Sequence, residues 1–284
     1  MKVRLKGKFK IDDHTSTNPI AVGDIVEVGS VEDEESIVIT DIHSRRNYIN
    51  RVSPHNKNQH HIVASNLDQS LLFATLKDPK TSSGFIDRFL VTSEAYHVPS
   101  LLVFNKADLY GKKEMENFAQ LKGIYEQIGY QVFLISLYKN DDLEELKDSL
   151  KDKTTLLTGH SGVGKSTFIN YLFPELNITT KEVSGWSGKG MHTTTFAEMY
   201  DLDFGGRVID TPGIREMGLV DVGKTELSHY FPEMLAVLNN CKYNDCIHID
   251  ESECAVKAGL LTGTISESRF ISYLKILDSL NSKY

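Results

Sequence analysis

The chain has 284 residues, 40% hydrophobic and 25% charged, an ordinary balance for a soluble globular protein with room for two or three domains. No apolar run approaches the ~20 residues of a membrane helix, and Met1–Lys6 lacks the apolar core of a secretion signal, so a cytoplasmic protein with no membrane partner is expected. Lys and Arg number 31 against 39 Asp and Glu, and the net charge of −8 argues against a wholly basic nucleic-acid binder while leaving room for a local basic face.

Residues 1–65 read as short strands. Val3, Leu5, Phe9 and Ile11 alternate with Lys2, Arg4, Lys6, Lys8 and Lys10, so one strand could show a basic row on one face. Ile20–Val28 and Ser36–Thr40 are two further strands around an acidic tip at Val31–Glu35. The pattern predicts a small β-barrel of the OB type. Arg45, Arg46 and Arg51 follow. Together with the basic row they form either ordinary solvated charge or an RNA-contacting surface.

Residues 66–110 change to a strand, a helix and a strand: Asp68–Leu76, Phe85–Tyr96 and Pro99–Phe104, a βαβ unit that implies a parallel sheet. The second strand ends in Asn105-Lys106-Ala107-Asp108, N-K-x-D, the guanine-reading element of GTPases. The Asp108 carboxylate can accept from guanine N1–H and the 2-amino group, whereas adenine would leave it unpaired. Asn105 would tie this loop to the phosphate loop, and the Lys106 stem would cover the base. An amphipathic helix over 113–129, with Met115, Phe118, Leu121, Tyr125 and Ile128 as core, leads to a strand at Tyr130–Ile135. Ser136 then stands where GTPases place a small turn against the base. Asp141–Lys151 is a short helix.

Gly159-His160-Ser161-Gly162-Val163-Gly164-Lys165-Ser166 follows a strand and precedes a helix opening at Thr167. This is G-x-x-x-x-G-K-[ST] in the context it needs. Its backbone N–H groups and the helix N-terminus cradle phosphates, Lys165 supplies charge to the β- and γ-phosphates, and the Ser166 hydroxyl serves Mg²⁺. A glycine-rich stretch then ends in His192-Thr193-Thr194-Thr195, where Thr195 can meet Mg²⁺ and the γ-phosphate as a switch loop. A hairpin over Phe196–Ile209 ends in Asp210-Thr211-Pro212-Gly213, D-x-x-G, with Asp210 holding Mg²⁺ through water and the Gly213 N–H sensing the γ-phosphate. The next residue is Ile214, where many GTPases carry a water-orienting glutamine, so intrinsic turnover should be slow and partner-stimulated. His192 is the candidate for positioning water.

N-K-x-D normally follows the phosphate loop and the switches; here it precedes them, which points to a circularly permuted G domain. The three cysteines all lie in the tail, where Cys241, Cys246, His248 and Cys254 form C-x4-C-x-H-x5-C. Three thiolates and an imidazole are a closed, structural Zn²⁺ set, with no open position for substrate. Flanking stripes at Leu227, Tyr230, Phe231, Met234 and Leu238, and at Phe270, Leu274, Leu277 and Leu280, read as core helices.

These motifs, with Phe85-Ile86-Asp87-Arg88-Phe89-Leu90, resemble the circularly permuted family of ribosome small-subunit-dependent GTPase A across essentially the whole chain. The resemblance implies a multidomain protein: an N-terminal OB-type β-barrel at 1–65 that binds RNA, a permuted α/β P-loop G domain at 66–220, and a C-terminal helical zinc-binding domain at 221–284. It implies GTP hydrolysis to GDP and phosphate, stimulated by the small (30S) ribosomal subunit during its late assembly, with rRNA as a partner. A monomer is expected. Two other readings use fewer of these residues. A P-loop ATPase or kinase has no use for Asp108, and a passive barrel-and-zinc RNA-binding module has none for Lys165, Ser166, Asp210 and Gly213.

Overall fold

The structure is a computed structural model of the chain, and it describes residues 3–5, 18–30, 37–52, 60–139, 143–176, 197–211 and 222–281. His192, Thr195, Gly213 and Ile214 therefore lie outside the described residues, as do the acidic tip and most of the first basic row.

The centre is a six-stranded sheet. Its strands are β6 (Gln69–Ala74), β7 (Ser100–Phe104), β8 (Gln131–Leu134), β9 (Thr154–Gly159), β10 (Glu198–Asp201) and β11 (Arg207–Asp210), in spatial order β10-β11-β9-β6-β7-β8. All neighbours are parallel except β10, which pairs antiparallel with β11 at the edge. Alternation along each strand sends side chains to opposite faces. Leu72 and Ala74 of β6, Leu102 and Phe104 of β7 and Ile209 of β11 enter one core, and Leu71, Phe73, Leu101, Val103 and Val208 enter the other. The first core is covered by α1 (Ser83–Ala95) and α2 (Lys112–Gln127), and the second by α3 (Leu143–Leu150) and α4 (Lys165–Leu172).

The permutation becomes physical here. In sequence order β6, β7 and β8 fill one half of the sheet, and β9, β10 and β11 fill the other. The helix after β6 lies on one face and the helix after β9 on the opposite face, so β6 and β9 flank a topological switch point, where open α/β sheets leave a crevice beyond the strand ends. Because β6, β7, β8, β9 and β11 are parallel, the loops after them emerge at one edge whatever their order along the chain.

The N-terminal strands are β1 (Val3–Leu5), β2 (Val26–Ser30), β3 (Ile37–Ile42), β4 (Tyr48–Val52) and β5 (His60–Ser65). They make a three-stranded sheet, β1-β3-β2, and a β4-β5 ladder, joined to the preceding segment by a bridge between Val22 and Ala64. Among the described residues they do not close into the expected barrel but stand as these two sheets. Arg45 Nε pairs with Asp24 at 2.7 Å, and the exposed Arg46 Nη2 pairs with Asp68 at 2.7 Å. Ile49, Val63 and Ala64 are buried in the same cluster as Leu67 and Leu72, so β4 and β5 pack directly on the central sheet.

The C-terminal unit has its own core of Leu227, Phe231, Met234, Val256, Tyr273, Ile276 and Leu277. The stripe at 227–238 is not the single helix expected. It is broken into 3-10 turns at Leu227–Tyr230 and Leu238–Asn240 around the one-turn α5 (Pro232–Leu235), because Pro232 supplies no backbone N–H to continue the first turn. Helices α6 (Ala255–Thr262) and α7 (Glu267–Asn281) follow. A second correction concerns Met115, which at 40% exposure stands on the solvent side of α2 rather than in its core.

Candidate functional site

The phosphate loop runs from the end of β9 into α4 and is shaped by two close approaches. Gly159 has φ +138 and a Cβ there would sit 2.3 Å from the Phe73 carbonyl oxygen. Gly164 has φ +107 and a Cβ would sit 2.2 Å from Asn105 Nδ2. Any side chain at Gly164 would thus expel the N-K-x-D loop, whose Asn105 Nδ2 donates to the Val163 carbonyl at 2.9 Å. Ser161 and Gly162 of the loop and Thr167 of α4 are exposed, and Val163 is buried. Lys165 Nζ folds over the loop and donates to the carbonyls of Gly159 at 2.6 Å and His160 at 2.9 Å.

The N-K-x-D loop is fixed at several points. Asn105 is 2% exposed, and its Oδ1 accepts from the Leu137 N–H at 3.2 Å, so one amide ties together the loops after β7, β8 and β9. Lys106 adopts a left-handed backbone, φ 67, and its Nζ donates to the Asp78 carbonyl at 2.5 Å. Ser136 Oγ donates to Asp108 Oδ1 at 2.6 Å, which orients the carboxylate. Asn105→Ala removes both amide bonds and leaves the Val163 carbonyl and Leu137 N–H buried without partners. The expected result is about 2–3 kcal/mol lost in stability, read by thermal unfolding, with weaker guanine-nucleotide binding.

Asp210, at the end of β11, brings a second charge to the phosphate loop. Burial pushes its carboxyl up, and Lys165 pulls it back. The reverse holds for Lys165, which burial pushes down while Asp210 supports its charge. Asp210 Oδ1 is buried with no hydrogen-bond partner, the condition expected of a carboxylate arranged for a hydrated cation. Thr211 Oγ1 donates back to the Leu157 carbonyl at 3.1 Å and so fastens the end of β11 to β9. The Ser166 hydroxyl at the start of α4 and the Asp210 carboxylate are donors that would suit Mg²⁺.

The tail brings Cys241, Cys246, His248 and Cys254 together, with their ligand atoms all within 4.8 Å of one another. His248 Nδ1 faces the thiols, 3.3 Å from Cys254 Sγ and 3.9 Å from Cys241 Sγ. The knuckle is braced by Glu251, whose carboxylate accepts from the N–H groups of Ile247 at 2.7 Å and Ile249 at 2.8 Å. Burial lowers the His248 pKa, keeping the imidazole neutral as a ligand must be. A sulfur-rich, closed set of this size fits a tetrahedral Zn²⁺.

Two supports escaped the sequence reading. Tyr110 OH donates to the Asn105 carbonyl at 2.6 Å and accepts from the Leu76 N–H at 2.9 Å, bracing the N-K-x-D loop. Phe85 stacks on His160, ring centroids 3.7 Å apart. A tyrosine or phenylalanine carries no spacing signal that separates such a brace from plain core.

A parallel sheet with a phosphate loop, an N-K-x-D loop and a D-x-x-G strand end on one edge, in this rotated order, defines a circularly permuted P-loop GTPase. The chain belongs to the RsgA GTPase family, whose model matches residues 42–220. It is 48% identical over 286 residues to a Flavobacterium psychrophilum protein named small ribosomal subunit biogenesis GTPase RsgA, covering 100% of this chain and 88% of that one. A Bacteroides fragilis protein of the same name is 45% identical, with coverage of 100% and 92%. Among solved structures, YjeQ from Thermotoga maritima superposes with a TM-score of 0.78 at 34% identity, covering 99% of this chain and 90% of that one. YloQ, described as a circularly permuted GTPase, gives 0.73 at 27% identity, covering 99% and 86%.

Proposed function

We propose that this GTPase acts on the small ribosomal subunit during its assembly, hydrolysing GTP to GDP and phosphate when the subunit is bound. The observation that carries the reading is the Asn105 amide, which locks the guanine-reading loop to the phosphate loop in a chain whose relatives bear the name small ribosomal subunit biogenesis GTPase. In this reading Asn105, Lys106, Asp108 and Ser136 form the guanine side. The backbone of Gly159–Ser166 with Thr167 forms the phosphate side, and the Gly213 N–H senses the γ-phosphate. Ser166, Thr195 and Asp210 hold Mg²⁺, which supplies charge neutralisation when bound. Cys241, Cys246, His248 and Cys254 hold one structural Zn²⁺. The segments 1–65, 66–220 and 221–284 act as RNA-binding, GTPase and zinc-binding units of a cytoplasmic monomer.

Catalysis is positioning and electrostatics: Lys165 offsets charge on the transferring phosphoryl group, and His192 orients water. GTP and ATP hydrolysis, each with and without purified small subunits, separates the alternatives. GTP-only turnover stimulated by subunits is expected. ATP turnover would point to the kinase or ATPase reading, and no turnover with retained subunit binding to the passive module. His192→Ala is expected to lower subunit-stimulated turnover about 10²-fold with GTP binding unchanged; full turnover in that variant would remove His192 from the mechanism.

A further inference from the structure

Helix α1 spans two places that the hydrolytic chemistry keeps apart. At its first turn Phe85 stacks on His160, the second residue of the phosphate loop, with ring planes 29° apart. Two residues on, Asp87 is 1% exposed and accepts from Arg269 Nη1 at 2.9 Å and from Tyr125 OH at 2.9 Å. Arg269 belongs to α7 of the C-terminal unit and is also 1% exposed. Its Nε and Nη2 go to the two oxygens of Glu233 at 2.8 and 3.1 Å, and its guanidinium carbon lies 4.6 Å from the centre of the Phe231 ring. Farther along the helix, Arg88 Nη2 donates to Ser279 Oγ at 3.2 Å. Val91 and Ala95 join the apolar core of the C-terminal unit. The spacing 87, 91, 95 is one helical face. That face is fastened to the C-terminal unit while the first turn touches the nucleotide site.

An ion cluster is a costly fastener. A buried guanidinium between two carboxylates stabilises no more than a well-packed apolar plug of the same volume, and loses heavily if one donor goes unmet. What it adds over a plug is geometry, because the planar fork fixes the angle at which α7, α5 and α1 meet.

We propose that Arg269 is a positioning residue for the nucleotide site: it sets α1 against the C-terminal unit, and α1, through Phe85 and His160, holds the phosphate loop in its nucleotide-binding shape. The C-terminal unit then tunes nucleotide affinity without touching nucleotide. By linkage, bound nucleotide biases how firmly that unit is held.

The test uses the full chain with Mg²⁺ and a fluorescent N-methylanthraniloyl GDP. Arg269→Lys keeps the charge and loses the fork; Phe85→Leu keeps apolar bulk and loses the stack. Each is expected to raise the GDP dissociation constant about tenfold. The double variant should be no weaker than the weaker single, because both changes cut one path. Amide exchange should quicken across residues 159–166 in Arg269→Lys and stay unchanged across β7. The neutral triple Asp87→Asn/Glu233→Gln/Arg269→Met guards against misfolding and should show the same loss of affinity with its melting temperature retained. Unchanged GDP affinity in a folded Arg269→Lys or triple variant, or effects of Arg269→Lys and Phe85→Leu that multiply, would overturn the proposal. So would failure of both Arg269 variants to fold, since the cluster would then serve stability alone. Wild-type protein that binds no GDP would instead count against the nucleotide-site assignment.

Discussion

Asp108→Asn should turn a guanine site into a xanthine site. The carboxylate stands at the carboxyl end of β7, held by the Ser136 hydroxyl at 2.6 Å on a loop that Asn105 and Tyr110 fix from beneath. An anion so oriented accepts from the N1–H and 2-amino donors of guanine. An asparagine amide can present only one acceptor and sets its own N–H₂ against a donor. Two charge-assisted bonds become one neutral bond and one repulsion, a loss of about 3–5 kcal/mol, or roughly 10²- to 10⁴-fold in GDP affinity. Xanthine carries a carbonyl where guanine has the amino group, so the same amide should recover binding of xanthosine diphosphate. Competition of both diphosphates against a fluorescent guanine nucleotide reads the exchange. GDP affinity within threefold of wild type in the variant would remove Asp108 from base recognition. Ser136→Ala should show a smaller loss of about 1 kcal/mol, because it loosens the carboxylate without neutralising it.

The parts of this site that a reader could find in the sequence are those whose chemistry fixes residue types at short spacing. Gly159, Gly164 and Lys165 sit in one loop because backbone curvature and charge are needed within a few ångströms of a phosphate. Cys241, Cys246, His248 and Cys254 are close in sequence, as a single ion reached by all of them would require. Their placement at one edge also followed, since parallel strands carry their loops in the same direction. Long-range contacts gave no such signal. Asp87 meets Arg269 across 182 positions, and nothing in the periodicity of either helix marks a buried charge in place of a solvated one. The clustering of Arg45 and Arg46 did not choose between its two readings. It suits a nucleic-acid face as well as ordinary surface charge; Asp24 and Asp68, 21 and 22 residues away, pair with the two arginines, and the Arg46 pair stays exposed to solvent. The break at Pro232 went unread although the proline stood in the sequence. The apolar stripe on either side of it matched helical spacing even though one continuous helix was not formed, because spacing records which side chains face a core and not which backbone bonds close.

Removing the zinc proposed for the tail should unfold the C-terminal unit before the rest of the chain. The stretch from Cys241 to Cys254 contains no strand and only turns, with His248 and Glu253 in the left-handed region at φ 62 and φ 54. Such backbone persists only where something over-determines it. Glu251, the Tyr273 hydroxyl on the Ile247 carbonyl at 2.8 Å, and the four converging ligands are what does so. Burial, with the neighbouring Cys254 sulfur, pushes the Cys246 thiol up to about 12, so without a cation this thiol is protonated at neutral pH. Zinc uptake must displace that proton, and zinc affinity should therefore rise with pH, with proton release measurable by an indicator dye. Structural zinc contributes on the order of 10 kcal/mol in the smallest fingers. Here the apolar core of Leu227, Phe231, Met234, Val256 and Tyr273 shares the load. Chelation or Cys246→Ser should then lower the melting temperature by roughly 6–12 °C, equivalent to about 3 kcal/mol in a chain of this size. Early proteolytic cuts should fall between 241 and 254, while β6–β9 stay protected. Retained melting temperature with zinc fully stripped, as measured by atomic absorption, would mean that the thiols pack as ordinary buried cysteines. The C-terminal unit would then owe its fold to the apolar core and the Arg269 cluster alone.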